Sequence, residues 1–538
     1  MKYDILVIGA GASGLMAAYS AARSAAEKGN DLRVCVLEKM PRPGRKIMIT
    51  GKGRCNFTNM KDWNAFSAHV RSGSKFLRSA FYSLPPERLA DFFREHGMES
   101  VVERGDRAFP ASHRSADVVD ALVNACHGVG VVIQTEAEVV SIEPTDANGQ
   151  EMRQKLSETT ENDANGQDLR QKLSGSTEID ANGQDLRQKL SGGFKITLKD
   201  GTEHKCGKLI IATGGLSYPG TGSTGDGLRW AGEMGHNVTP LFPSLTALVP
   251  RGYKEILRSA QDDRGSELPS AAESTSAPPL PRHIPRETPL TETGQKFCGI
   301  QLKNIGARLL VQGTEAGAEF GDIDFTDGGI EGPLGFQLSR KAVKSLINGS
   351  RVTLELDLKP GVSLTELTTR VKELWEEIAR DPRSARIKEK ERCRILLGKL
   401  MPWELIPAFT ATHPEIITLE RRGRADTKVW VNLVSIAKAL KEWRFDIDGY
   451  VGWERAVVTA GGVSLDDIIP KTMESRLVPG LYFCGEALDI DADTGGYNLQ
   501  LAFCTGWLAG QTAAGRWDER SEGSAAAVPL QAKRRSNS

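Results

Sequence analysis

The chain has 538 residues, room for three to four domains at a typical ~150 residues each, so a single hydrophobic core cannot organise it. Lys and Arg number 69 and Asp and Glu also 69, which excludes a polycationic chromatin-type binder, and 39% hydrophobic with 26% charged residues is ordinary for a globular protein. The 56 glycines cluster in a few short stretches, where bare backbone can approach a ligand closely.

In chain order the first signal is the strongest. Tyr3 to Ile8 reads as a buried strand, Gly9-Ala10-Gly11-Ala12-Ser13-Gly14 follows at once, and Leu15 to Ala18 begins a helix. Strand, GxGxxG and helix in this order form a dinucleotide-binding fingerprint. Gly9 permits the tight turn, Gly11 lets the backbone approach a pyrophosphate, and Gly14 lets helix and strand pack closely. The free N–H groups of the helix attract the phosphates. The next strand, Leu32 to Leu37, ends in Glu38, 24 residues after Gly14. An acid there binds both ribose hydroxyls and repels a 2′-phosphate, which disfavours NADP at this site. This motif leaves NAD and FAD both open.

The apolar stretch from Ile5 to Ala18 is interrupted by three glycines and carries neither a basic leader nor a cleavage site. No run reaches the ~18 apolar residues of a membrane span. The eight cysteines (35, 55, 126, 206, 298, 393, 484 and 504) are scattered, with no CxxC and no zinc-type Cys/His spacing. That usage predicts a reduced, cytoplasmic setting and no metal.

Val131 to Ile142 and Phe194 to Leu198 read as strands. Between them stands a near-exact repeat, DANGQEMRQKLS from Asp146 and DANGQDLRQKLS from Asp163 and Asp180, at a spacing of 17 residues. These units carry too few apolar residues to stack as a solenoid, so they read as an expanded hairpin loop. Lys208 to Gly215 is a buried strand ending in a Gly pair. Gly220 to Gly225 also matches GxGxxG, but it follows Pro219 and no strand ending in an acid comes after it, so no second dinucleotide domain is expected. Lys254 to Thr293 holds six prolines with no strand or helix period and reads as disordered, as does the tail from Asp518.

From Phe297 to Leu358 short strand-like runs (GARLLVQ, GDIDFT, RVTLELDL) alternate with Gly turns and predict a small β-barrel or sandwich. From Ser363 to Phe409 the pattern turns helical, with Leu364, Leu367, Val371, Leu374, Trp375 and Ile378 at three-and-four spacing. Arg380 to Lys399 carries eight basic and three acidic side chains, a solvated helix face or a nucleic-acid face. Arg421, Arg422 and Arg424 add a second basic cluster. Leu481 to Phe483 is a further strand, ending in Cys484-Gly485-Glu486. Thr494-Gly495-Gly496-Tyr497-Asn498-Leu499-Gln500 then opens a helix running to about Ala509.

Four of these segments, GAGASGLMAA, PGRKIMITGKGRCNFTN from Pro43, IIATGGLSYPGTGSTGDG from Ile210 and AVVTAGGVSLDDIIPKTMESRLVPGLYFCGEALDIDADTGGYNLQLAF from Ala456, closely resemble the bacterial NAD(P)/FAD-dependent oxidoreductases. These are also called aminoacetone-oxidase-family FAD-binding enzymes, and they include a bile-acid dehydro-steroid reductase. The resemblance spans the chain except the repeats, the Pro-rich insert and the tail. It implies an α/β fold: a Rossmann-type FAD-binding domain of the two-dinucleotide-binding flavoprotein type, built from both chain ends, with an inserted β-barrel and a small helical subdomain. The expected boundaries are 1–242 (with the repeat loop at 145–192), 243–362 (with the insert at 254–293), 363–425, 426–450, 451–517 and a tail at 518–538.

Carried over by the resemblance, the FAD contacts fall on Gly9, Gly11, Ser13, Gly14, Glu38, Lys39, Arg45, Lys46, Arg54, Val139, Thr213, Gly214, Gly485, Glu486, Asp489 and the Gly496-Tyr497-Asn498-Leu499 turn. The turn would point its helix N-terminus at the flavin, where a dipole stabilises the anionic reduced ring. Two loops depart from the pattern, at Lys52 and near Ala492, where relatives carry Gly. Cys55 is a candidate thiol or a small packed residue. Arg54 is a candidate cation for the reduced flavin or a phosphate contact. His113 is a candidate proton donor or a cap for the helix starting near Ser115. The implied activity is hydride transfer between flavin N5 and a small organic substrate such as an enone or aminoketone, with NAD(P)H as transient donor. The alternatives are a flavin-dependent RNA-modifying or RNA-bound protein, against which the balanced charge weighs, and a non-catalytic flavin redox sensor.

Overall fold

The structure, a computed structural model, describes residues 1–145, 193–255, 283–382, 387–422 and 426–515. The repeats, most of the Pro-rich insert, the tail and Arg424 lie outside the described residues.

Four apolar strands make a parallel sheet. Lys2–Ile8 pairs with Val34–Leu37 on one side and Glu203–Ile211 on the other, and Val132–Gln134 extends it beyond Val34–Leu37. Leu481–Phe483 adds a parallel strand beside Glu203–Ile211. Ile5 to Ile8 and Val34 to Leu37 are buried throughout, as continuous Val/Ile/Leu runs are when both faces of a sheet are covered. The first half of Glu203–Ile211 instead pairs antiparallel with Gly193–Leu198, which pairs in turn with Val139–Thr145. The stretch expected as one strand from Val131 to Ile142 is therefore two. Glu136, at φ +55°, turns the chain between the parallel edge and the hairpin that encloses the repeats.

The helix Ala12–Ala26 covers this sheet, and the C-terminal helix Tyr497–Ala513 lies against it. Glycines make that contact close: a Cβ at Gly506 would stand 2.2 Å from the Ser13 carbonyl oxygen, and one at Gly510 would stand 2.1 Å from that of Ala17. Helix Tyr497–Ala513 runs a turn beyond the Ala509 expected from the sequence.

The insert closes a six-stranded antiparallel barrel in the order Leu248–Pro250, Gly329–Glu331, Thr314–Thr326, Gln301–Val311, Val352–Asp357, Trp443–Val451, with Leu248 paired again to Tyr450. Alternating burial along these strands fills its interior with Leu309, Ile323, Phe325, Leu354, Leu356 and Phe445. The helix Gly332–Ile347, in a stretch the sequence reading took as strands and turns, packs Leu334, Leu338, Ala342, Val343 and Leu346 onto the barrel. The helical subdomain begins at Leu364–Arg380, started by a capping box between Ser363 and Glu366. It continues through Glu389–Leu400 and Ile406–Thr412. Its far end differs from the helical expectation: Ile417–Arg422 is a strand paired to Asp426–Val431, where β-branched residues on both sides favour a hairpin. Among the described residues no helix is long and apolar enough to cross a membrane.

Candidate functional site

At the C-terminal ends of the parallel strands, between the sheet and the barrel, lies a cavity of about 1190 Å³. Open α/β sheets place their ligands in this position.

The glycine loop forms one end. Gly9 stands at φ +103°, and a Cβ there would lie 2.6 Å from the Ala212 carbonyl oxygen; a Cβ on Gly14 would lie 1.8 Å from the Gly9 carbonyl oxygen. The protein's own packing therefore excludes side chains at both positions. Gly11 differs, because a Cβ there meets nothing within 4 Å. It caps the helix Ala12–Ala26 and faces the cavity, so no neighbouring protein atom requires its bareness. Beside it Glu38 accepts the N–H groups of Ala10 (2.8 Å) and Met40 (2.9 Å). Burial raises its carboxyl above the ordinary range, opposed by those two N–H groups. Lys39 pairs with Asp226 at 2.7 Å. Burial works against the Asp226 carboxylate, but Lys39 and Thr224 outweigh it and hold its pKa below the usual value.

The second end is built by the late segments. Gly496, at φ +92°, opens the helix Tyr497–Ala513, and a Cβ there would strike the Thr58 carbonyl oxygen at 2.4 Å. Two helix N-termini from opposite ends of the chain thus border one cavity, each a partial positive charge suited to an anion or an electron-rich edge. Near Gly496, Oδ1 of Asn56 is buried without a hydrogen-bond partner among the described residues; Nε1 of Trp230 is likewise buried and unpartnered. Both residues line the cavity. The two polar atoms themselves are enclosed in its wall, an acceptor and a donor without partners there.

Between the ends, Lys46 donates to Glu486 at 2.6 Å and to Ser217 at 2.5 Å. Glu486 also accepts the Thr459 N–H (2.7 Å) and the Ser217 hydroxyl (2.5 Å). Arg54 bonds Glu103 and reaches Nδ1 of His113 at 2.9 Å, while its guanidinium stacks 4.4 Å from the Phe109 ring centroid. Lys52, at φ +57°, is 87% exposed, and its Nζ lies 3.5 Å from Asp324 on the barrel. It stands at the junction of the two lobes.

Of the expected residues, Gly9, Gly11, Ser13, Glu38, Lys39, Arg45, Lys46, Arg54, Val139, Thr213, Gly214, Gly485, Glu486, Gly496, Asn498 and Leu499 line this one cavity. Gly14, Asp489 and Tyr497 stand behind it. Asp489 accepts the Ser72 hydroxyl at 3.2 Å, and Tyr497 stacks on His69 with centroids 4.4 Å apart. Cys55 is fully buried outside the lining, and burial pushes its thiol up to about 12, so it is a packed residue and no nucleophile. His113 does not cap the helix Ser115–Gly128, whose N-cap is Arg114. At φ +55° its ring turns to Arg54 instead. The second GxGxxG contributes Thr221, Gly222 and Ser223 to the wall of the same cavity. The sequence reading missed Asn56, Arg107, Phe109, Tyr218, Glu331, Phe336 and Arg455, which also line it. Asn56 and Tyr218 lie inside quoted motifs and could have been singled out. The barrel residues carry no local signal, because the chain's return to the sheet brings them there.

A family model described as HI0933-like protein Rossmann domain matches residues 3–166 and 167–512. The chain is 27% identical to a 3-dehydro-bile acid delta(4,6)-reductase of Clostridium scindens, over 95% of this chain and 98% of the relative. It is 25% identical to a ribosomal RNA dihydrouridine synthase of Escherichia coli, again over 95% and 98%. Among solved structures, a 3-ketosteroid delta1-dehydrogenase from Sterolibacterium denitrificans in complex with 1,4-androstadiene-3,17-dione matches at 11% identity and a TM-score of 0.42, over 96% of this chain and 99% of that one.

Proposed function

The chain belongs to the HI0933-like Rossmann family, and from that premise we propose that it is an FAD-dependent reductase of carbon–carbon double bonds conjugated to a carbonyl. The observation that carries this reading is the pair of helix N-termini, at Gly11 and Gly496, bordering one cavity. The Gly11 turn would hold the pyrophosphate, Glu38 the ribose, and the Gly496 turn the ring edge. Bound there, FAD would supply a hydride from N5, taken in turn from NADH or NADPH. The residues around it bind, orient and exclude water. Lys46 and Glu486 neutralise each other in the wall on the sheet side, and Leu245, Ile300, Phe325, Phe336 and Val457 give the cavity an apolar face suited to a rigid ring system.

The named activities of two relatives converge on this chemistry. A bile-acid 4,6-diene in conjugation with a 3-ketone and the C5=C6 bond of uracil are both alkenes polarised by a carbonyl. A small-molecule substrate is the preferred reading here, because of the apolar wall and the equal counts of acidic and basic residues. RNA is the second reading, favoured by the relatives named ribosomal RNA dihydrouridine synthase. The test is an anaerobic absorbance spectrum of the purified protein before and after NADH or NADPH, followed by addition of a steroid 4,6-dien-3-one or of uridine-containing ribosomal RNA. Flavin bands that bleach with a nucleotide and return with the dienone support the reading; return with RNA alone selects the second. A protein that neither carries nor binds FAD overturns both.

A further inference from the structure

Tyr218 occupies a conformation that its residue type avoids. It stands at φ +53°, ψ +62°, a left-handed position that costs a side-chain-bearing residue and persists only where its surroundings impose it. Here they do. The Tyr218 N–H donates to the Trp453 carbonyl at 2.8 Å, and the Tyr218 carbonyl accepts both the N–H and the hydroxyl of Thr221 at 2.8 Å. The neighbouring N–H groups of Leu216 and Ser217 donate to the Thr459 hydroxyl, and the Ser217 hydroxyl donates to Glu486. All this fixes the backbone and leaves the phenol free. The side chain lines the cavity, and among the described residues its Oη makes no hydrogen bond.

The charged groups facing the phenol are Glu331 and Arg455, with Arg286 behind them; Arg455 Nε lies 2.8 Å from Glu331 and also bonds Asp327. Burial first, and then the Glu331 carboxylate, raise the Tyr218 pKa above its ordinary value against the opposing pull of Arg455 and Arg286. The hydroxyl therefore keeps its proton across the working range of pH and holds it inside the cavity with no protein acceptor to take it.

We propose that Tyr218 is the acid that protonates the α-carbon of the substrate alkene in this cavity, an assignment that rests on the reductase reading above. The balance is closed. The β-carbon gains a C–H bond from the hydride of the reduced flavin, the C=C bond supplies the electron pair for a new α-C–H bond, and that hydrogen leaves Tyr218 Oη as a proton. The substrate is reduced by two electrons, the flavin is oxidised, and the phenolate recovers its proton from water. Fixing a proton donor at one point over the alkene also fixes the face from which the α-hydrogen arrives.

The test is Tyr218→Phe, which removes an oxygen that supports no contact. Wild type and variant are first compared for flavin content. Both are then reduced anaerobically with dithionite and mixed with a steroid 4,6-dien-3-one, or with uridine-containing ribosomal RNA if only RNA reoxidises the wild type. The expected result is equal flavin content and reoxidation slowed about 100-fold or more in the variant. A second pair of measurements separates proton transfer from packing: the oxidised proteins are titrated with the saturated 3-ketone, and the reduction is repeated in D₂O with the α-deuterium of the product located by NMR. Both proteins are expected to bind the ketone alike, and only the wild type to place the deuterium on a single face. A variant that reoxidises like wild type and keeps that single face overturns the role of Tyr218 while the reductase reading stands. A wild type without flavin, or one that neither dienone nor RNA reoxidises, overturns the reading and the proton donor with it.

Discussion

Lys46 and Glu486 are 440 residues apart in the sequence, and Lys46 Nζ lies 2.6 Å from a Glu486 carboxylate oxygen. Both are largely buried, at 24% and 19% side-chain exposure, and Glu486 also satisfies the Thr459 N–H and the Ser217 hydroxyl. One carboxylate thus joins the early and the late parts of the chain in the wall of the cavity. Glu486→Ala would strand the Lys46 charge and the Thr459 N–H, at a cost of about 1–3 kcal/mol. Glu486→Gln, which keeps an acceptor, is expected to lose less. Urea unfolding of the three proteins checks the order; equal midpoints for Ala and wild type would contradict it.

Gly11 and Gly14 are predicted to fail differently. A Cβ at Gly14 falls 1.8 Å from a backbone oxygen, whereas one at Gly11 meets no protein atom within 4 Å. Gly14→Ala should therefore lower the melting temperature of the flavin-free protein. Gly11→Ala should leave that temperature unchanged and weaken FAD binding at least about tenfold, a loss of ~1.4 kcal/mol. Fluorescence titration with FAD beside thermal unfolding separates the two; a Gly11→Ala protein that binds FAD as wild type does would remove Gly11 from the proposed pyrophosphate site.

That contrast also shows what the sequence could and could not convey. The strand, glycine loop, helix and Glu38 were legible because each imposes a local rule: β-branched periodicity, positive φ, a carboxylate at fixed spacing. The shared cavity of Gly11 and Gly496 was legible only through the family resemblance, since no local pattern says that residues 11 and 496 meet. The helix Gly332–Ile347 was overlooked although Leu334, Leu338, Ala342, Val343 and Leu346 carry its period, because Gly332, Pro333 and Gly335 at its start look like turn residues. The splitting of Val131 to Ile142 turned on Glu136 adopting a left-handed conformation, which nothing about a glutamate announces. The far wall of the cavity, with Arg455 and Glu331, depends on barrel closure, a long-range fact.

Arg340, on the helix Gly332–Ile347, forms two bonds to Asp491, at 2.5 and 2.9 Å, and Asp491 is only 1% exposed. Burial raises the Asp491 carboxyl pKa and Arg340 opposes that rise. Arg340→Met would leave a buried charge without its partner and cost about 3–5 kcal/mol. Adding Asp491→Asn should recover part of that loss, because a neutral amide needs no counter-charge. A double variant no more stable than Arg340→Met would show that the pair matters for packing alone.

His236 sets an acid limit. Its ring is buried, Nδ1 donates to the Ala231 carbonyl (3.1 Å), and Nε2 meets the Ser475 hydroxyl at 2.7 Å. Burial depresses its pKa, over the opposing effects of the Ala231 carbonyl and Asp467. The unfolded chain takes up a proton near its ordinary value of about 6.5 while the folded ring refuses it, so stability is fully present above that pH. It falls as pH drops from there through the depressed folded value. Wild type should exceed His236→Gln in urea midpoint at pH 7.5 by more than it does at pH 5; a constant gap would contradict the linkage.

The strand Glu203–Ile211 has a consequence for how the chain is made. Its C-terminal half takes its last parallel neighbour from Leu481–Phe483, roughly 270 residues later. At ~5–20 residues per second on the ribosome, the nascent sheet keeps an open edge for a time on the order of tens of seconds. The barrel, from Leu248 to Val451, can close within that interval, and the helix Tyr497–Ala513 can seat only after it. The inner lobe is thus able to assemble before the outer one is complete, and the edge of Glu203–Ile211 is where a stalled or truncated product would be exposed to aggregation.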